Sequence, residues 1–129
     1  MSFTDKLFGQ TLNIGAQALN LRMAKQGLIQ SNIANIETPG YNQQDFSFSD
    51  AMRSAMQDQG QLARTNSKHI PLDPMDISEN ISFSGEKRPV DLDEEMLNLS
   101  QNQLMYRVTA KIIAKQFDGL KYAINEGGR

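Results

Sequence analysis

Cysteine is absent from this chain of 129 residues, which removes disulfides and thiolate chemistry while fitting any redox compartment. Tryptophan is absent as well, and histidine occurs once, at His69, between Lys68 and Ile70. A lone loop histidine with no base partner in view reads as a surface residue. Long apolar runs are missing: no segment approaches the ~20 apolar residues of a membrane span. Met1 to Gly40 holds no basic stretch followed by an apolar one, so a cleaved secretory signal is not expected. An excess of one charge is missing too. The net charge is −2, made of −1 over residues 1–60, 0 over 61–90 and −1 over 91–129. That excludes the clustered Lys and Arg of a nucleic-acid binder and the polybasic patch that anionic lipid would need. With 39% hydrophobic residues and twelve Gln, the chain is about one domain long, polar and short of core. Composition alone suits a cytosolic protein.

The patterns of catalysis and cofactor binding are also lacking. There is no G-x-S-x-G, P-loop or G-x-G-x-x-G. Asp73, Asp76 and Glu79 do not fit a calcium loop, because Met75 and Ile77 occupy alternate positions that need oxygen ligands. Glu94 and Glu95 are adjacent and so diverge on a helix, where capping and dipole effects explain them better than acid–base work. No enzyme, metal or cofactor is expected.

What is present is helical pattern. Alternate steps of four and three from Leu92 pass through Met96, Leu99, Gln103, Tyr106, Ala110, Ile113, Phe117, Leu120 and Ile124, and only Gln103 interrupts an apolar seam. A 3.5-residue spacing keeps one stripe of a long helix on one partner. Asp91 is the expected N-cap with Glu94 three residues on, and Gly127 is placed to supply a left-handed stop. Arg107, Lys111 and Lys115 form a basic row beside the seam, read as a solvated face. One seam of this kind does not offset the cost of ordering so many residues, so the helix must meet another, in this chain or a neighbour.

Near the other end, Thr11 to about Asn35 predicts a second helix, with Thr4 and Asp5 as caps for residues before it. Leu12, Ala16, Leu19 and Met23 make one apolar stripe, and Ile14, Ala18, Leu21 and Leu28 make another. Together they are wider than a two-stranded seam. Gly15 and Gly27 mark either close helix approach or tolerated slack. The helix must stop before Pro39, which disfavours helical geometry at Thr38, and Pro39-Gly40 suits the centre of a type II turn. Asn32 and Asn35 are placed to bond backbone groups freed at the helix end. In the middle, Phe46 and Phe48 alternate with polar residues as in a strand, with Ile81 and Phe83 as its hairpin partner or else an irregular segment. Residues 51–62 predict a short helix.

The run Ala34-Asn35-x-x-Thr38-Pro39-Gly40-Tyr41 resembles the N-terminal signature of the rod and hook proteins of the bacterial flagellum. Ala18-Leu19-Asn20-Leu21-Arg22, Ser31-Asn32-Ile33-Ala34-Asn35 and Pro89-Val90-Asp91-Leu92-Asp93-Glu94-Glu95-Met96 are similar to the proximal-rod branch of that family. The likeness covers roughly residues 7–48 and 88–127, with Glu37 where Asp is the more usual residue.

The expected fold is mainly α: long N- and C-terminal helices packed as an antiparallel coiled-coil-like pair, with an irregular or small-β middle. Residues 1–36 and 91–129 would form one discontinuous assembly domain, and 37–90 the turn, short strands and loop. The combined apolar surface of the two helices exceeds what one pair hides, so the chain should assemble with copies of itself. The residues expected to carry that packing are Leu19, Met23, Leu28, Ile33, Leu99, Tyr106, Ile113, Phe117 and Leu120. The resemblance implies a structural subunit of the proximal rod, polymerising into the axial tube of the basal body after type III export without a cleaved signal. It further implies partners among other rod proteins, the rod-base adaptor, and the export-gate and inner-membrane ring proteins. A soluble coiled-coil chaperone or regulator is the alternative, and it leaves the Pro-Gly-Tyr turn without a role.

Overall fold

A computed structural model describes residues 3–62 and 87–127. Its frame is a hairpin of two long helices, α1 (Phe3–Ala34) and α3 (Leu92–Gly127), with a shorter α2 (Phe48–Leu62) laid against α1. At ~1.5 Å per residue α1 and α3 run about 50 Å each. Contacts between them pair ascending with descending numbers: Phe8 with Phe117, Gly15 with Ile113, Arg22 with Asn102, Asn32 with Glu95. The pair is therefore antiparallel, as expected.

Helix α1 starts at Phe3, earlier than the Thr11 that the sequence pattern indicated. The reason is tertiary. Phe8 meets the ring of Phe117 edge-on at 6.0 Å, and this contact draws the first turns into the helix. Gly15 is a point of close approach: a Cβ there would lie 2.7 Å from Cδ1 of Ile113. A Cβ at Gly27 would meet nothing within 4 Å. The two glycines thus divide the two readings between them.

Helix α3 begins where Asp91 caps it, its Oδ1 accepting from the backbone N–H groups of Asp93 at 3.0 Å and Glu94 at 3.4 Å. At the far end the helix continues through Gly127, which has no left-handed φ, so the stop expected there is not made. The α3 seam is half-buried at Leu99, Tyr106, Ala110, Ile113 and Leu120. It departs from expectation at Leu92, Met96, Phe117 and Ile124, which are exposed, while Glu95 and Asn102 are buried.

No strand forms among the described residues. Residues 42–47 are extended, and Phe46 and Phe48 alternate for a different reason. Phe46 enters a small core with Leu21 and Ala51, flanked by Ala24, Leu28 and Met52. Phe48 opens α2 under the guanidinium of Arg22, 3.7 Å from the ring centroid. Ser47 caps α2, its carbonyl accepting from Ala51 N–H at 3.0 Å. The extended segment is satisfied by side chains of α1 and by one backbone bond, Gln43 N–H to Arg88 C=O at 2.9 Å. His69, the Asp73–Asp76–Glu79 group and the Ile81–Phe83 half of the expected hairpin lie outside the described residues.

Candidate functional site

The turn after α1 is built by the motif residues themselves. Tyr41 N–H donates to Thr38 C=O at 3.2 Å, closing a four-residue turn with Pro39 and Gly40 at its centre. Gly40 has φ of 77°, the left-handed value that a type II turn requires at that position. Upstream, Asn35 stitches the helix end: its Nδ2 donates to Ser31 C=O at 2.8 Å, and its Oδ1 accepts from the Thr38 hydroxyl at 3.1 Å. Asn35 C=O accepts from Thr38 N–H at 2.9 Å, one residue after Ala34 ends α1. Each polar member of the signature holds the chain as it leaves the helix.

Asn32 does something other than cap the helix end. It is 1% exposed and gathers three segments. Its Oδ1 accepts from Tyr41 Oη at 2.9 Å and from Gln44 N–H at 3.0 Å. Its Nδ2 donates to Gln44 C=O at 2.7 Å and to Glu95 Oε2 at 3.4 Å. Glu95, also 1% exposed, accepts at Oε1 from Gln43 Nε2. Buried polar groups are costly unless bonded, and here amides supply donors to the carboxylate. Neighbouring Glu94 points the other way and pairs with Arg88. The two acids do diverge, but Glu95 is a bonded interior acceptor in addition to lying in the first turn of α3.

A second polar contact lies further along the pair. Asn102, 2% exposed, donates from Nδ2 to Arg22 C=O at 2.8 Å and accepts at Oδ1 from Arg22 Nη1 at 3.5 Å. Partial burial lowers the Arg22 pKa from its ordinary value, yet an arginine remains charged at any working pH. Three residues on, Lys25 Nζ reaches Phe46 C=O at 3.4 Å and Asp45 Oδ1 at 3.6 Å. Arg22 and Lys25 thereby hold the extended segment and α2 against α1. Sequence reasoning missed Glu95, Asn102, Gln43 and Gln44. The one available signal was the polar break in the α3 seam, which falls at Asn102 and not at Gln103.

Of the residues expected to pack between subunits, Leu19, Ile33, Leu99, Tyr106, Ile113 and Leu120 are half-buried within the single chain. Leu28 is drawn to the α2 cluster. Met23 and Phe117 are 60% and 51% exposed, with one edge of Phe117 against Phe8. The far side of α3 carries a further row, Leu97, Leu104, Val108 and Ile112, each 40% exposed or more. Their spacing of seven, four and four keeps them on one side of the helix. Arg107, Lys111 and Lys115 are exposed. Among the described residues no His, Cys, Asp and Glu cluster could hold a metal, and no helix is long and apolar enough to cross a membrane.

The antiparallel pair of long helices, the turn that follows α1 and the apolar residues left on the outward side of α3 fit a structural subunit of the flagellar axial class. No model of a known protein family matches the chain. Individual relatives do: the flagellar basal body rod protein FlgB of Yersinia enterocolitica is 32% identical over 95% of this chain and 98% of its own length. FlgB of Escherichia coli K12 is 30% identical over the same shares, and FlgB of Bacillus subtilis 168 is 31% identical over 94% of this chain and 98% of its own. The chain belongs to the FlgB family of flagellar basal body rod proteins. It is a structural component of the basal-body rod and not an enzyme.

Proposed function

We propose that the chain is a proximal-rod subunit that polymerises through α1 and α3, residues 1–36 and 91–129 acting as one assembly domain. The observation that carries this reading is the exposed apolar surface of α3: Leu97, Leu104, Val108 and Ile112 on one side, and the seam residues Leu92, Met96 and Phe117. Contiguous apolar surface on a soluble chain marks an interaction site, and a rod subunit has like molecules beside it. Leu19, Met23, Leu28, Ile33, Leu99, Tyr106, Ile113, Phe117 and Leu120 pack the helices within and between subunits. Ala34, Asn35, Thr38, Pro39, Gly40 and Tyr41 set the angle at which the chain leaves the helical layer.

In this reading the subunit reaches the periplasm through the flagellar type III channel, unfolded or loosely folded, and closes its helices against neighbours on arrival. The rod-base adaptor and the export-gate and inner-membrane ring proteins lie on its proximal side, and other rod proteins on its distal side. The test is Ile113→Asp, which places a charge at the helix contact with Gly15. The variant should be synthesised normally yet leave isolated basal bodies without a rod. Normal rods in cells carrying it would overturn the reading.

A further inference from the structure

Over the first turns of α3, up to Gln103, its apolar pattern and the face it buries do not coincide. The regular seam passes through Leu92, Met96, Leu99 and Gln103, whereas burial passes through Glu95, Leu99 and Asn102. Glu95 and Asn102 are 1% and 2% exposed, against 46% for Leu92 and 49% for Met96. A helix that chose its face by hydrophobicity alone would turn Met96 inward and leave Glu95 in water. Hydrogen bonds reverse that choice. Glu95 is bound by Asn32 of α1 and by Gln43 of the extended segment, whose backbone is tied to Arg88 just before α3. Asn102 is bound twice by Arg22.

Further along α3 the half-buried residues Tyr106, Ile113 and Leu120 recur every seven positions. A slide of one heptad would present α1 with much the same apolar surface, so these residues do not specify an axial position strongly. The polar contacts do, because a shift would bury their donors and acceptors unpaired. Buried polar residues are well suited to specifying register between helices whose apolar contacts are degenerate.

We infer that Glu95 and Asn102 are positioning residues: held by Asn32 and Arg22, they fix the rotation and axial register of α3 on α1. They thereby decide which apolar side chains, Met96, Leu97, Leu104 and Ile112, are turned outward. That these outward side chains meet neighbouring subunits rests on the rod-subunit reading; the register within one chain does not.

The absence of native cysteine makes the register directly readable. A Cβ on Gly15 would lie 2.8 Å from Cγ1 of Ile113, which brings the two Cβ positions to about 4 Å, within disulfide range. In the full chain, Gly15→Cys with Ile113→Cys reports the observed register. Gly15→Cys with Tyr106→Cys or Leu120→Cys reports a slide of one heptad, and Gly15→Cys with Ala114→Cys reports a rotation. With Glu95 and Asn102 in place, the 15–113 disulfide should exceed each alternative by about tenfold, the ratio given by a preference of about 1.4 kcal/mol. With Glu95→Leu and Asn102→Leu together, helicity should persist in circular dichroism while that preference falls to about twofold or less. Asn102→Leu alone should fall between. The inference is overturned if the parent shows no preference, or if the double variant keeps it. It is also overturned if the double variant loses its helicity, since the two residues would then serve stability and not register. Rod incorporation in cells is a separate readout: a clear 15–113 preference in a parent chain that never enters rods supports the register and sinks the rod reading.

Discussion

Asn32 and Gln44 are joined at two points: the Asn32 amide donates to the Gln44 carbonyl at 2.7 Å and accepts from the Gln44 N–H at 3.0 Å. A side-chain amide carries the same donor and acceptor as a peptide group, so Asn32 serves the extended segment as a one-residue strand partner. The segment after the turn is thereby pinned to α1 without a sheet, and Tyr41 and Glu95 are bonded to the same side chain.

Removing that side chain should therefore cost more than an ordinary polar truncation. Asn32→Ala is expected to destabilise the chain by about 2–4 kcal/mol, because Gln44, the half-buried Tyr41 and the buried Glu95 lose a partner together. Asn32→Asp should be worse, since a carboxylate cannot donate to Gln44 C=O and stands beside Glu95. Urea unfolding followed by circular dichroism measures both, and a loss near zero for Asn32→Ala would refute the role.

The two helical glycines should respond oppositely to alanine. Gly27→Ala gains about 1 kcal/mol of helix propensity in open space. Gly15→Ala drives a Cβ to within 2.7 Å of Ile113 and should lose about 1 kcal/mol net of the same gain. Equal melting shifts for the two variants would show that the close approach is not made.

Gly40 sits at φ of 77°, where a Cβ is strained. Gly40→Ala is expected to cost about 1 kcal/mol, and Gly40→Val more. A Gly40→Asn variant should recover part of the loss, as asparagine tolerates the left-handed region. The readout is the melting temperature across the three variants; an order that follows side-chain size and ignores left-handed tolerance would argue against the turn.

Asp91→Ala should lower stability by about 1 kcal/mol by stripping the cap from Asp93 and Glu94. Asp91→Asn should lose far less. Amide exchange in the first turn of α3 is the direct measurement, and protection that stays unchanged in Asp91→Ala would count against the cap.

Much of this architecture is written locally. Pro39-Gly40 bars α1 from continuing past Thr38 because proline and a left-handed glycine permit little else, and Asp91 starts α3 because its carboxylate bonds nearby N–H groups. A long 3.5-residue seam announces a helix whatever it packs against. The likeness of the turn and of the α3 start to flagellar rod proteins is equally a property of short contiguous runs, and relatives aligned along nearly the whole chain bear out the family. Phe46 and Phe48 were misleading for a related reason: alternation reports an extended chain with two environments, and those environments here are α1 and α2, not a neighbouring strand.

The sequence by itself determined where α1 ends and where α3 begins, and that the turn after α1 is stiff, since each of those choices depends on residues within a few positions of one another. Only the tertiary structure decided which way α3 faces. Glu95 and Asn102 go inward because Asn32 and Arg22, on a helix 63 and 80 positions away in the chain, supply the bonds that make their burial tolerable. No periodicity along α3 carries that information, because it belongs to the pairing of two helices and not to either one.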